Sequence, residues 1–119
     1  MERIFSEDDA NALLPQLQEL LPRVQQAYGT FRDAAQGAKR KAAANGSNPG
    51  SVAETGGDYV QLLGEVTDLG VILRDPETGL CDFPSLREGE PVFLCWRLGE
   101  DRVAFWHPRD TGAAGRQPL

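Results

Sequence analysis

The sequence is poor in most of the side chains that build reactive sites. In 119 residues it has one histidine, two cysteines and two tryptophans. A lone histidine limits any metal site to one nitrogen ligand with oxygens, unlike most structural zinc sites. Cys81 and Cys95 stand fourteen residues apart with no CxxC pair, which excludes a zinc finger. Basic residues are in the minority, 12 against 18 acidic, and the net charge of −6 repels a nucleic-acid backbone or an anionic membrane at long range. Neither is expected as a partner. No run nears the roughly 20 apolar residues needed to span a bilayer. The opening "MERIFSEDDA" lacks the basic-then-apolar order of a signal peptide, so the expected location is cytoplasmic and the expected state of both cysteines is a reduced, buried thiol.

What is present suits one soluble globular domain. Hydrophobic residues make up 40% and charged residues 25%, and the length is enough for a single core but not two. Ser6 followed by Glu7, Asp8 and Asp9 reads as a helix N-cap with a capping-box partner at N3. From there Ala10, Leu14, Leu17, Leu21, Val24, Tyr28 and Phe31 recur at alternating spacings of three and four, the stripe of a helix packed against partners. Pro15 and Pro22 sit seven apart on one flank of that stripe, and the pattern continues in phase across both, so the spacing predicts one helix over residues 6–44, bent and not broken.

"NGSNPGS" predicts a loop over 45–51, and Tyr59, Leu62, Leu63, Val66 and Leu69 predict a second helix over 52–70 with Gly70 as its cap. After residue 71 the period changes to that of strands. Asp75-Pro76-Glu77-Thr78-Gly79 is a hairpin turn between two apolar runs, "PSLREGEP" reads as a loop, and "VFLCWRL" and "VAFWH" form two more strands around Gly99-Glu100-Asp101-Arg102. If Leu98 pairs with Val103, then Trp96, Leu94, Phe105 and His107 share one face of the sheet and Phe93, Cys95 and Trp106 the other. The expected fold is α+β: a long antiparallel helical hairpin packed with a small antiparallel β-meander of about four strands over 71–107, and a loop-like tail over 108–119.

"SEDDANALLP", "GLCDFP", "LCWRLGE" and "WHPRDTGAAGRQPL" together span nearly the whole chain, and the sequence resembles in them a family of small prokaryotic proteins known as domain of unknown function 2203. The resemblance implies a compact bacterial protein of uncharacterised role and brings no catalytic residues with it. Cys81 departs from the family pattern, which has an aliphatic residue before Asp-Phe-Pro; Cys95 stands inside the family-like "LCW".

Candidate chemistry lies in the C-terminal part, where both tryptophans, the histidine and one cysteine crowd together. His107, Asp110, Glu100 and Asp82 are the groups for a divalent metal such as zinc, manganese or iron, because imidazole and carboxylates together suit those ions. The alternative is a histidine that caps a strand by bonding Asp110 or a carbonyl. Arg97, Arg102, Arg109 and Arg116, beside the glycines of "DTGAAGR", offer guanidinium groups for a carboxylate or phosphate ligand, and Trp96 and Trp106 offer aromatic walls for a small ligand. Their alternatives are salt bridging, with Arg116 pinned to Asp110 or Glu100, and core packing. A Cys95–His107 dyad requires a register other than the one above.

Two function classes follow. One is a non-catalytic protein-interaction module, a homodimer through its helices, since the first stripe is longer than the second helix can cover, or the docking site of another protein. The other is a small-ligand or metal-binding protein with a site on the meander. Convergence of the histidine, acids and arginine on one recess distinguishes the second.

Overall fold

The structure, a computed structural model, describes the backbone of residues 2–44 and 49–119 and the side chains of residues 2–37 and 55–119. Among the described residues are two helices, α1 (Glu7–Ala44) and α2 (Pro49–Asp68), and five strands: β1 (Ile72–Asp75), β2 (Leu80–Arg87), β3 (Glu90–Arg97), β4 (Phe105–Pro108) and β5 (Gln117–Pro118). The strands lie in chain order in one antiparallel sheet. The fold is therefore α+β, with five strands in place of the expected four. The loop expected over 45–51 falls partly outside the described residues, and α2 begins at Pro49, a residue whose fixed φ and missing N–H suit a first helical turn.

α1 starts as its sequence dictates. Ser6 Oγ accepts the Asp9 amide at 3.0 Å and Asp9 accepts the Ser6 amide at 3.1 Å, so two otherwise unpaired donors satisfy each other. The helix runs uninterrupted through Pro15 and Pro22, both on its exposed side, where the carbonyls four residues back can turn to water. Its stripe of Ala10, Leu13, Leu14, Leu17, Leu21 and Val24 is buried against Val66, Leu62 and Leu63 of α2 and against Cys81, Phe83, Leu94 and Trp96 of the sheet. The excess length of the stripe thus finds the sheet. Phe5, one residue before the cap, is buried edge-on to Phe83 with ring centroids 5.3 Å apart, and its amide bonds the Pro84 carbonyl at 2.7 Å, tying the start of the chain to β2. α2 ends at Asp68, two residues short of the expected bound, and the turn after it closes on Gly70, whose φ of +87° is a conformation that favours glycine.

Two registers decide which side chains share a face. β2 and β3 continue through "PSLREGEP", the stretch read as a loop, and turn only at Glu88-Gly89, with Arg87 opposite Glu90 and φ of 53° and 80° in the turn. A two-residue turn of that kind matches the twist of the strands it joins. It places Asp82 directly opposite Cys95. Between β3 and β4 the pairs are Cys95 with Phe105 and Phe93 with His107, one residue out of step with Leu98 opposite Val103. A distant contact accompanies the shift: Val103 donates its amide to Asn11 Oδ1 of α1 at 2.8 Å, Glu100 folds back onto Arg97, and residues 98–104 form a loop and not a tight turn. A slip of one residue moves each side chain to the other face.

Trp96, Leu94 and Trp106 therefore face the helices, while Phe93, Cys95, Phe105 and His107 face away. The outer face is covered by the tail, which is not loop-like throughout: it contains a short 3-10 turn (Ala113–Gly115) and β5. Its cover is cationic. Arg109 lies over Phe93 at 4.4 Å and Arg116 over Phe105 at 4.1 Å, and Arg74 of β1 adds a second contact to Phe93 at 5.0 Å.

Candidate functional site

Asp82, Cys95 and His107 come from three neighbouring strands and meet on the outer face, all buried. β2 and β4 lie roughly 9.5 Å apart on either side of β3. The Asp82 and His107 side chains lean together across β3, Nε2 to Oδ1 at 2.9 Å, beside Cys95. The three donor atoms lie within 4.8 Å of one another. Arg74 Nε holds the other Asp82 oxygen at 2.9 Å.

The second ring nitrogen of His107 is also committed. Nδ1 lies 2.8 Å from the Pro108 carbonyl and must donate to it. With a carbonyl on one nitrogen and a carboxylate on the other, the ring faces two acceptors. It satisfies both as a cation donating twice, or as the Nδ1–H form whose Nε2 and the carboxylate share a cation between them. Neither state leaves a nitrogen free to take a proton from a substrate, which excludes the histidine base of an acid–histidine–nucleophile triad. Nor is Cys95 an activated nucleophile. Burial, reinforced by the Asp82 charge, pushes its thiol up to about 11, and burial pushes Cys81 up to about 12. Cys81 points into the helix-facing core, opposite to Cys95, and both are free thiols.

A divalent ion suits this donor set with small movements. Tetrahedral zinc with bonds of about 2.0–2.3 Å needs donor atoms roughly 3.3–3.7 Å apart. The imidazole–carboxylate pair at 2.9 Å would open by under an ångström, and the sulfur, no more than 4.8 Å from either, would close in by at most about 1.5 Å. The Pro108 carbonyl on Nδ1 and Arg74 on Asp82 already orient the ligands from behind. Asp82 and His107 also form the floor of a recess of about 370 Å³, whose walls include Arg74, Arg109 and Thr111.

Of the residues expected to hold a metal, the structure brings Asp82 and His107 together and leaves Glu100 and Asp110 out. Glu100 takes Arg116 at 2.8 Å and the Arg97 amide at 2.7 Å. Partial burial alone would raise its carboxyl, but those hydrogen bonds outweigh burial and hold it below the ordinary value. Asp110 is exposed and borders a different recess, with Trp106, Arg87 and Pro91. Of the residues expected to hold a ligand, Arg116 is spent on Glu100 and the Cys95 carbonyl, pinning the tail, and Arg97 is exposed. Trp96 is wholly buried in the core, its Nε1 bonded to the Glu100 carbonyl at 3.0 Å, and Trp106 is half-buried beneath Arg87. The face assignment that set Cys95 apart from His107 is overturned by the one-residue slip.

Arg74 was missed altogether, Cys95 was set on the face opposite His107, and Arg109 was singled out for an anion but not placed beside Asp82 and His107. A signal was available for Cys95: a turn at Glu88-Gly89 pairs residues whose numbers sum to a constant, and Asp82 with Cys95 is one such pair.

The family model described as uncharacterized conserved protein (DUF2203) matches residues 3–119. The chain belongs to that family. No curated protein and no solved structure matches it. Within this DUF2203 member, both halves of the fold lie inside the matched range, from the Phe5 anchor to β5. No helix among the described residues is long and apolar enough to cross a membrane.

Proposed function

We propose that the protein binds a divalent transition metal between Asp82, Cys95 and His107, with one coordination position facing the recess above them. One observation carries this reading. Nδ1 of the sole histidine is held by a backbone carbonyl, which aims Nε2 at a carboxylate and a sulfur on the neighbouring strands. One nitrogen, one oxygen and one sulfur donor favour zinc, with iron next and manganese least, because thiolate is a soft ligand. Three protein ligands and an exchangeable fourth position form the pattern of zinc sites that bind or activate a ligand.

Titrating zinc into chelator-treated protein tests the reading, with cobalt as the spectroscopic reporter. The expected result is one ion per chain and a thiolate-to-cobalt charge-transfer band that disappears in Cys95→Ser, with binding weakened in His107→Gln and Asp82→Asn. Protein that takes up neither ion at micromolar concentration removes it.

A different observation supports a second reading, the self-associating interaction module. If α1 and α2 form an antiparallel hairpin, its far end carries a shallow apolar recess bordered by Tyr28, Phe31 and Ala35, and Val60 of α2 is 66% exposed. This reading is weaker than the excess stripe suggested, because the sheet covers the half of α1 nearest the N-terminus. Light scattering showing only 13.0 kDa particles across micromolar concentrations would remove it.

A further inference from the structure

Resting on the metal reading, we infer that the recess over Asp82 and His107 binds a small oxyanion, a carboxylate or a phosphate. One anion oxygen takes the open position on the ion and a second takes the Arg74 guanidinium. Charge points to such a ligand first. The protein carries a net charge of −6, yet the recess is walled by Arg74 and Arg109 and has Asp82 as the one acid among its lining residues. Arg109 is balanced by Glu2, which it grips through both terminal nitrogens at 3.0 and 2.7 Å. Arg74 is balanced by Asp82. When a divalent ion is held by the Asp82 carboxylate and the Cys95 thiolate, those two negative charges are consumed by the ion, and Arg74 becomes the uncompensated cation. A loaded site therefore has a surplus of one positive charge facing the recess.

Hydrogen-bonding capacity points the same way. Arg74 reaches Asp82 through Nε alone, and among the described residues its two terminal nitrogens have no protein partner. A guanidinium edge of that kind matches two oxygens of one carboxylate or phosphate. Arg109, which lines the same recess, adds positive charge beside it and has an Nε buried without a hydrogen-bond partner. The volume of about 370 Å³ is that of a small-molecule site.

The test is calorimetry on the full chain. Zinc is titrated into metal-free protein; inorganic phosphate and acetate are then titrated separately into zinc-loaded and metal-free protein, for wild type, Arg74→Gln and Arg74→Lys. The expected result is one anion per zinc-loaded chain, bound about tenfold or more weakly in Arg74→Gln. Arg74→Lys, which keeps the charge and loses the fork, should fall between. Zinc affinity, which Arg74 supports through its hold on Asp82, is measured for each variant in the first titration, and the anion is compared at full zinc loading. The anion that binds more tightly identifies the source of the oxygens. Zinc-loaded protein that takes up neither anion, or anion binding equal in wild type and Arg74→Gln, overturns the oxyanion site and leaves the metal reading standing. Failure to bind zinc removes the metal reading and, with it, the open position and the uncompensated Arg74 that the anion site needs, whereas anion uptake by metal-free protein equal to that of zinc-loaded protein overturns the oxyanion site alone.

Discussion

Replacing Asp82 with asparagine changes one oxygen to an amide at almost constant volume and so isolates the electrostatics of the buried cluster. Asp82 is 3% exposed and His107 1%, and the carboxylate accepts from His107 Nε2 and Arg74 Nε, both at 2.9 Å. An asparagine oxygen can still accept from Arg74 Nε, but its NH₂ then faces His107 Nε2, so the imidazolium must either give up its proton to accept that NH₂ or stay buried against a donor without its counter-charge. Removing one partner of a buried ion pair costs about 3–5 kcal/mol. The Arg74 share is discounted, because that side chain is 44% exposed and can turn to water. The expected loss for metal-free protein is therefore about 3 kcal/mol, a large part of the roughly 5–15 kcal/mol that holds a domain together. At about 4 °C per kcal/mol it lowers the melting temperature by roughly 12 °C. The companion variant Asp82→Leu/His107→Leu, which replaces both partners by apolar groups, should lie within about 2 kcal/mol of wild type. Urea midpoints for the single and double variants measure both quantities. An Asp82→Asn variant within about 1 kcal/mol of wild type would refute the reasoning, because it would mean that the cluster is neither charged nor desolvated as its geometry requires.

Alkaline pH should destabilise the metal-free protein. Cys95 titrates at about 11 and Cys81 at about 12 in the folded chain against an ordinary 9.0, so the unfolded chain loses these protons first, and stability that is complete below pH 9 declines as pH rises towards 11. Each thiol contributes on the order of 2 kcal/mol to that decline. Unfolding in urea at pH 8 and pH 10.5 should show it, smaller in Cys95→Ser; a flat profile would contradict the burial of both thiols. Asn11→Ala should cost about 1–3 kcal/mol, since it strips the partner from the amide of Val103, a wholly buried residue. Exchange of the Val103 amide hydrogen followed by NMR should accelerate with it, and protection equal to wild type would show that another acceptor holds the loop.

The helices were legible because their signals are local. Ser6 and Asp9 are three residues apart, and the stripe repeats within a few turns, so short stretches of sequence hold both the cap and the buried face. The β1–β2 turn was legible for the same reason: Asp75 accepts the Glu77 amide and the Thr78 hydroxyl within its own five residues. The site was half legible. Residue chemistry was enough to single out His107 and Asp82, but Glu100 and Asp110 had equal claims on composition alone, and Cys95 was set on the wrong face. The fifth strand was not legible at all, because Gln117-Pro118 is too short to carry a period and exists as a strand only by pairing with β4.

The class of fold, the start and buried side of α1, the region where α2 stops and the confinement of all candidate chemistry to the C-terminal half are written in local runs of residues. Each depends on periodicity, capping or turn residues that act over a few positions. The tertiary structure alone decided which groups meet. The amide of Val103 is claimed by Asn11, 92 residues away, and that single hydrogen bond accompanies a register that turns His107 towards Cys95 and Asp82. Strand side chains alternate from face to face, so a shift of one position is enough to build or abolish a site without altering a single residue.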